Sequence, residues 1–144
     1  MASSEPWVTL QRDLAAALAQ LGDPQKELYV AERDGRRLGF VLIDMRGPFI
    51  GYIQSLGVSA EFRNHRIGAA LLRFAEERIF EEQPNVFLCV SSFNPDAQRF
   101  YAKHGYERIG ELSDFIIPGA AELLLRKSVG PKLTFSIATG EARL

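Results

Sequence analysis

A continuous apolar run, NVFLCVSS at residues 85–92, stands between two segments with helical periodicity and constrains the fold more than any other stretch. Such a run predicts a strand that is buried on both faces of a sheet. The helix before it is predicted over about residues 66–82, on an apolar stripe made by Gly68, Leu71, Leu72, Ala75 and Ile79. A second helix is predicted to begin behind Asn94, with Pro95 in its first turn, and to end at Gly105.

The segments around this unit complete the predicted architecture. An amphipathic helix is expected over residues 6–24, and a hairpin over residues 27–45 turns at Asp34-Gly35. FIGYIQSLGV is the strand before the helix, and YERIGEL, DFII and AELLLRK are closing strands. The order predicts an α/β (α+β) fold: one domain over residues 1–144, with a mixed sheet, helices on both faces and a right-handed crossover. The tail, residues 133–144, has β character.

Composition narrows the classes of function. The chain has 144 residues, of which 47% are apolar and 24% charged, as in an ordinary globular domain. A net charge of -1 disfavours general attraction to nucleic acid or to an anionic membrane. One cysteine and two histidines are too few for a disulfide or a metal centre, so no metal is expected. The lack of a signal pattern or long apolar span leads us to expect a cytoplasmic protein.

A basic turn, EFRNHRIG at residues 61–68, leads into the first of these two helices. Arg63, His65 and Arg66 crowd positive charge before a helix start, where free amides and the helix dipole also favour an anion. Gly68 has no side chain and would let a phosphate approach the backbone. The turn predicts a phosphate or pyrophosphate site, and the competing interpretation is a solvated turn that binds nothing.

Two known nucleotide motifs do not fit this turn, which has neither G-x-G-x-x-G nor G-K-[ST]. A second motif, NPDAQRFYAKHGY at residues 94–106, directly follows the buried strand. Together the two segments resemble the GNAT superfamily of N-acetyltransferases. Its phosphate turn, [R/Q]-x-x-G-x-[G/A], corresponds to residues 63–68, and its N-x-x-A-x-x-[FL]-Y-x-x-x-G-[FY] motif corresponds to residues 94–106. The resemblance covers about residues 26–128, and residues 131–144 form a C-terminal extension.

This resemblance implies that the anion is the pyrophosphate of acetyl-CoA, used as cosubstrate. It also implies a mostly antiparallel sheet in which two parallel central strands splay apart, with pantetheine in the gap like an added strand. The cofactor-binding residues that it implies are Leu56, Val58, Arg63, Asn64, His65, Arg66, Ile67, Gly68, Ala69, Asn94, Ala97 and Phe100. Arg66 stands where the family usually has glycine. We therefore expect an ordinary φ angle there and a side chain turned away from the pyrophosphate or paired with an outer phosphate.

The resemblance further implies direct acetyl transfer to a primary amine, with Tyr101 protonating the CoA thiolate. On spacing alone Tyr101 would be an ordinary half-buried tyrosine. The backbone N–H of Val58 or a neighbour would hold the oxyanion. A general base is not visible, because Gln54 occupies a strand position where some relatives carry glutamate. A water relay is expected instead, since the other carboxylates weighed read as surface groups: Glu27, Glu32 and Asp114.

Several features remain open at this level. His104 is expected to contact the last helix carbonyls, and Cys89 to be an inert buried thiol rather than an acyl-cysteine nucleophile. The alternative function is a non-catalytic CoA-binding or regulatory module on the same fold. The acceptor is left open between a small molecule, a lysine and a protein N-terminus. Specificity is expected in the first helix, the loop that follows it and residues 112–121. Exchange of the tail between two chains would make a homodimer.

Overall fold

The computed structural model describes residues 26–63 and 66–132. Within them the elements are β1 (Lys26–Arg33), β2 (Arg36–Asp44), β3 (Tyr52–Val58), α1 (Ile67–Phe80), β4 (Asn85–Ser91), α2 (Pro95–Lys103), β5 (Glu107–Ser113) and β6 (Ala121–Ser128). A short 3₁₀ turn, Ala60–Phe62, connects β3 to the basic turn. The helix predicted for residues 6–24 and the tail of residues 133–144 lie outside the described residues. Neither helix in the described part of the chain is long and apolar enough to cross a membrane.

The six strands form one sheet in the order β1-β2-β3-β4-β6-β5. Neighbouring strands are antiparallel except β3 and β4, which are parallel and are connected through α1. The first hairpin turns at Asp34 and Gly35, whose φ angles of 53° and 77° are those that a tight two-residue turn requires. The predicted hairpin and the predicted mixed, mostly antiparallel sheet are confirmed.

The two parallel strands separate after a short shared stretch. They pair only at Tyr52 with Phe87 and at Ile53 with Leu88. Beyond that point β3 continues along β2 to Val58, while β4 continues along β6 to Ser91. Gln54 is the extra residue of a bulge against β2, and a bulge bends its strand at the place where β3 leaves β4. The predicted splayed pair is therefore confirmed.

The main core lies between the sheet and α1. The helix buries Ile67, Leu71, Leu72, Ala75 and Ile79, which includes most of the stripe predicted from the sequence. These side chains pack in one cluster with alternate residues of the central strands, among them Val41, Ile43, Ile53, Val86 and Leu88. Ala97, Phe100 and Tyr101 of α2 pack against the same cluster. Both helices are thereby held beside the strands that splay.

Burial of the strands differs in one respect from the sequence expectation. In β4 the residues that face α1 are buried, and those between them are only half-buried. The face of β4 that points away from α1 is only partly covered, so the prediction of burial on both faces is wrong for β4. Burial on both faces is found instead in β2, where Phe40 and Leu42 point away from Val41 and Ile43 and are still only 4% and 1% exposed. At β2 both faces of the sheet are therefore shielded from solvent.

The prediction of a strand over residues 114–117 is also wrong. Residues 114–120 form a loop that joins β5 to β6. Asp114 has a φ of 52°, and its Oδ1 accepts a hydrogen bond of 2.6 Å from the Gly119 N–H. Side-chain bonds of this kind compete with strand pairing, and Pro118 has no N–H to offer a ladder. The loop leaves three apolar side chains well exposed: Phe115, Ile116 and Ile117.

Candidate functional site

Arg66 is the residue of the basic turn whose backbone is strained. This residue is the N-cap of α1 and has φ 61° and ψ 19°, the left-handed conformation that glycine adopts freely. The expectation of an ordinary φ angle at Arg66 is wrong, because the change of direction from the 3₁₀ turn into α1 occurs at this residue. Its side chain makes no capping hydrogen bond, and the first helical turn contains no acidic residue. The amides of the first turn are therefore left without a side-chain acceptor from the cap.

Charge around this turn is positive and is not neutralised by the described residues. Arg63 and Arg66 are exposed, and neither forms an ion pair with a carboxylate in the part of the chain described. Glu61, the nearest acid in sequence, is bound by Arg36, which also lies 5.0 Å from the centre of the Phe62 ring. Asn64 and His65 lie outside the described residues. Two arginines next to a helix N-terminus favour an anionic ligand.

Gly68 is the point where three elements meet. A Cβ built on it would lie 3.5 Å from Val58 Cγ2 at the end of β3 and 3.7 Å from Phe100 Cζ on α2. These are ordinary contact distances, and the φ of Gly68 is not positive, so neither packing nor conformation among the described residues demands glycine. Its neighbours Ile67 and Ala69 are buried and half-buried. The absent side chain instead leaves backbone accessible beside the two arginines.

The open edge of β3 lies next to this meeting point. Leu56, Gly57 and Val58 pair with β2 on one side only, since the ladder to β4 has already ended. In an antiparallel pair, alternate residues direct their N–H and C=O groups away from the partner strand. Part of the backbone of Leu56–Val58 is therefore free to pair with an extended ligand lying in the gap.

The second motif forms the helix that was predicted for it. The Asn94 side chain accepts a hydrogen bond of 3.1 Å from the Ala97 N–H, so Asn94 caps α2 with Pro95 in the first turn. Gly105 ends the helical segment with a φ of 92°. His104 Nδ1 lies 2.8 Å from the Phe100 carbonyl oxygen, which is the contact with a late helix carbonyl expected for it.

Tyr101 sits inside an aromatic cluster on this helix. Its ring centre is 5.1 Å from that of Phe100 and 5.7 Å from that of Tyr106, both in edge-on arrangements. Burial raises the pKa of Tyr101 to about 12. Among the described residues its hydroxyl has no hydrogen-bond partner. The group is therefore a neutral phenol at pH 7 with a proton still to donate.

The carboxylates considered as bases from the sequence have other partners. Glu27 forms two hydrogen bonds with Arg78, of 2.8 and 2.7 Å, which hold its pKa below the ordinary value. Glu32 is an exposed group 3.8 Å from Arg37, and Asp114 closes its loop. Gln54 is exposed on the bulge. None of these groups is arranged to take a proton in the gap.

Two other groups lie near the end of the gap. Cys89 is half-buried, and burial raises the pKa of its thiol, which disfavours the thiolate that a nucleophile needs. Glu122 is a buried carboxylate beside Ser91 at the end of β4, and the sequence reasoning missed it. The only signal for it was a charged residue inside the apolar run of β6. Within the described residues no three side chains of the kinds that bind metals are grouped together.

Comparison with known proteins agrees with this geometry. The profile of the Acetyltransferase (GNAT) family matches residues 2–106. An aminoalkylphosphonate N-acetyltransferase of Salmonella typhimurium is 35% identical over 98 residues, covering 62% of this chain and 62% of the relative. The chain thus matches less than two thirds of the length of that relative.

Solved structures agree with the fold. Nourseothricin acetyltransferase superposes with a TM-score of 0.67 at 25% identity, covering 75% of this chain and 68% of that one. A putative streptothricin acetyltransferase from Bacillus anthracis, in complex with acetyl coenzyme A, superposes with a TM-score of 0.69 at 19% identity, covering 78% and 67%. Together with the family match, these likenesses establish that the chain belongs to the GNAT family of acetyltransferases.

Proposed function

We propose that this protein is an acetyl-CoA-dependent N-acetyltransferase that transfers the acetyl group directly to a primary amine. The observation that carries the proposal is the convergence at Gly68 of an uncapped helix start, an open strand edge and the helix that bears Tyr101. The Salmonella relative is named for an aminoalkylphosphonate and the solved neighbour for nourseothricin. We therefore propose a small molecule with an amino group as the acceptor.

The cofactor would bind along the path that these elements mark. Its pyrophosphate would accept hydrogen bonds from the first-turn amides of Ile67, Gly68 and Ala69, with Arg63 and Arg66 as counter-charges. We also propose Asn64 and His65, which belong to the same turn, as cofactor-binding residues. The pantetheine arm would pair with the free edge of Leu56–Val58. Ala97 and Phe100 would contact it from α2, which Asn94 holds in place by capping.

The chain's own groups would then act on the thioester in two places. A free backbone N–H of the open β3 edge, at Val58 or a neighbour, would stabilise the oxyanion that forms on the carbonyl. The Tyr101 hydroxyl would give its proton to the departing sulfur, since burial keeps it protonated throughout the neutral range. An acceptor amine must lose a proton before it attacks, because ordinary amines are charged at pH 7.

A second candidate function is a non-catalytic CoA-binding module. The observation that favours it is that the carboxylates first considered as bases have other partners. Glu27 is held most firmly, by two hydrogen bonds from Arg78. Release of free CoA thiol in the presence of any amine would exclude this alternative. Binding of acetyl-CoA without turnover of any amine would favour it.

The first experiment is the melting temperature with and without excess acetyl-CoA, with NAD as the control ligand. A ligand at 100 times its dissociation constant stabilises a protein by about 2.7 kcal/mol. For a domain of this size that corresponds to a rise of roughly 5 to 10 °C. The double variant Arg63→Ala/Arg66→Ala should show a smaller rise at the same concentration. Equal rises in the variant and the native protein would refute the assignment of the phosphate site.

A further inference from the structure

One buried carboxylate at the end of the sheet gap is not explained by the proposal so far. Glu122 is the second residue of β6 and pairs with Ser91, the last residue of β4. Ser91 lies three residues beyond Leu88, the last residue of β4 that pairs with β3, so Glu122 lies one strand beyond the rim of the gap. It points away from α1, because its neighbour Leu123 belongs to the α1 core. Its exposure is only 6%.

The charge of Glu122 has no counter-ion among the described residues. Its single side-chain bond is from Ser91 Oγ, which donates to Oε2 at 2.6 Å. Glu76, the other buried glutamate, makes the contrast clear: it accepts from the Tyr106 hydroxyl at 2.9 Å and from Lys127 Nζ at 3.1 Å. Burying a carboxylate without a cation costs several kcal/mol, and a bond from one hydroxyl offsets only part of that. The charge of Glu76 is therefore balanced by Lys127, whereas the charge of Glu122 is balanced by no cation among the described residues.

Among the described residues, no group in contact with Glu122 supplies a positive charge, and Arg126, which lies on the same face of β6 beyond Leu124, forms no ion pair with it. Tyr52 on β3 and Cys89 on β4 both have pKa values raised first by burial, and the negative charge of Glu122 adds to each. Both are therefore neutral at pH 7. On β5 the paired residue is Leu112. Within the part of the chain that the structure describes, the carboxylate is therefore unpaired with any cation beside the place where the thioester would lie.

We propose that Glu122 is the group that receives the acceptor: its carboxylate binds the substrate's ammonium group and takes the proton that the amine must lose. This inference rests on the proposed function and names its missing base, together with the charge of its substrate. Tyr101 packs into the core on the α1 side of the sheet, whereas Glu122 points to the other side. Proton donor and proton acceptor would therefore act on the reacting atoms from opposite sides.

The protons and electrons of this step balance. Glu122 takes one proton from the ammonium, and the freed lone pair forms the C–N bond at the thioester carbonyl. The C–S bond then breaks with its electron pair going to sulfur, which takes the Tyr101 proton. A second proton from the nitrogen then passes through water to Tyr101 and restores its hydroxyl group. The first proton passes from Glu122 to solvent. The products are the amide, the free thiol of CoA and one released proton.

The test compares Glu122→Gln with the native protein and with Glu76→Gln as the matched buried-glutamate control. Turnover is followed as thiol release with 2-aminoethylphosphonate, kanamycin and a peptide with an N-terminal alanine. Loss of a general base lowers kcat/KM by about 10²- to 10⁴-fold. We expect that loss at pH 7 in Glu122→Gln, with acetyl-CoA affinity unchanged within about twofold. Glu122→Asp should retain part of the activity.

A pH profile separates this role from a structural one. The native kcat/KM should vary little around neutrality, because the acceptor arrives as an ammonium ion. In Glu122→Gln only the neutral amine can react, so kcat/KM should rise about tenfold per pH unit up to the acceptor's own pKa. Glu122→Gln should melt no lower than the native protein, whereas Glu76→Gln should melt lower, because it weakens the bonds to Lys127 and Tyr106.

Each outcome decides the question. An active native protein with an equally active Glu122→Gln variant overturns this inference and leaves the proposed function standing. A deficit in Glu122→Gln that is constant with pH, or that Glu76→Gln shares, shows a structural role and overturns it as well. A native protein that binds acetyl-CoA but turns over no amine overturns the proposed function, and the inference with it.

Discussion

Replacing Arg66 by glycine separates the backbone strain of the basic turn from the charge that it carries. Arg66 has φ 61°, where a residue with a side chain costs about 1–2 kcal/mol and glycine costs nothing. Glycine gives back about 0.5–1 kcal/mol through the greater freedom of the unfolded chain. The net expectation is that Arg66→Gly raises the free energy of unfolding by about 0–1.5 kcal/mol. Arg66→Ala keeps the strain and should stay within about 0.5 kcal/mol of the native protein.

Loss of the Arg66 charge, in contrast to relief of the strain, should weaken binding of the ligand. A phosphate oxygen about 4 Å from the guanidinium would gain about 1–4 kcal/mol between the dielectric limits of water and a protein surface. Arg66 is exposed, and side-chain ordering and salt leave about 1 kcal/mol of this. Both the glycine and the alanine variants should therefore bind acetyl-CoA about fivefold more weakly, and Arg66→Lys should bind almost as well as the native protein.

Two measurements check these numbers. Urea unfolding without ligand gives the stability difference between the glycine and alanine variants. Calorimetric titration with acetyl-CoA at 50 and 300 mM salt gives the affinity, and the deficit should shrink at the higher salt concentration. A glycine variant that binds as tightly as the native protein would show that Arg66 does not contact the phosphates. An alanine variant more stable than the glycine variant would disprove the strain assigned to this residue.

Three further substitutions test separate parts of the molecule. Tyr101→Phe should lower kcat by about 10²-fold or more and leave acetyl-CoA affinity nearly intact, and unchanged turnover would remove Tyr101 from its role. Gly68→Ala should raise the melting temperature, because alanine favours a helix by about 0.5–1 kcal/mol, yet it should weaken acetyl-CoA binding in the same titration. Glu27→Gln should lower the free energy of unfolding at pH 7 by about 1–2 kcal/mol. The pKa of Glu27 is lower in the folded protein than its ordinary value of 4.5. The stability that this group contributes is therefore fully present above pH 4.5 and is lost as the pH falls through its pKa in the folded protein. The difference between variant and native protein should therefore shrink as the pH is lowered from 4.5, and a constant difference would contradict the ion-pair assignment.

The features predicted correctly from the sequence depend on neighbours along the chain. The stripe of α1, the turn at Asp34-Gly35 and the cap at Asn94 each arise from residues within about one or two turns of one another. The two central motifs could be found for the same reason, since each occupies one short segment.

The features that were missed depend on contacts or directions that the local pattern does not contain. The mostly apolar residues 114–117 predict a strand, but a hydrogen bond from the Gly119 N–H to the Asp114 side chain closes a loop there instead. The φ of Arg66 follows from the direction in which α1 must leave β3. Glu122 becomes a candidate only when β6 is placed beside Ser91, which lies 31 residues away in sequence. Partners at that separation cannot be read from periodicity.

The short pairing between β3 and β4 has a mechanical consequence. It divides the described sheet into two three-stranded halves, which are joined by two residue pairs and by the packing of α1 against strands of both halves. A ligand whose backbone-like arm lies in the gap would add contacts between the halves at the end of the strands where the sheet itself supplies none. In such an arrangement the bound cosubstrate would contribute to the stability of the sheet, and its departure would leave the halves joined by α1 and the two residue pairs alone.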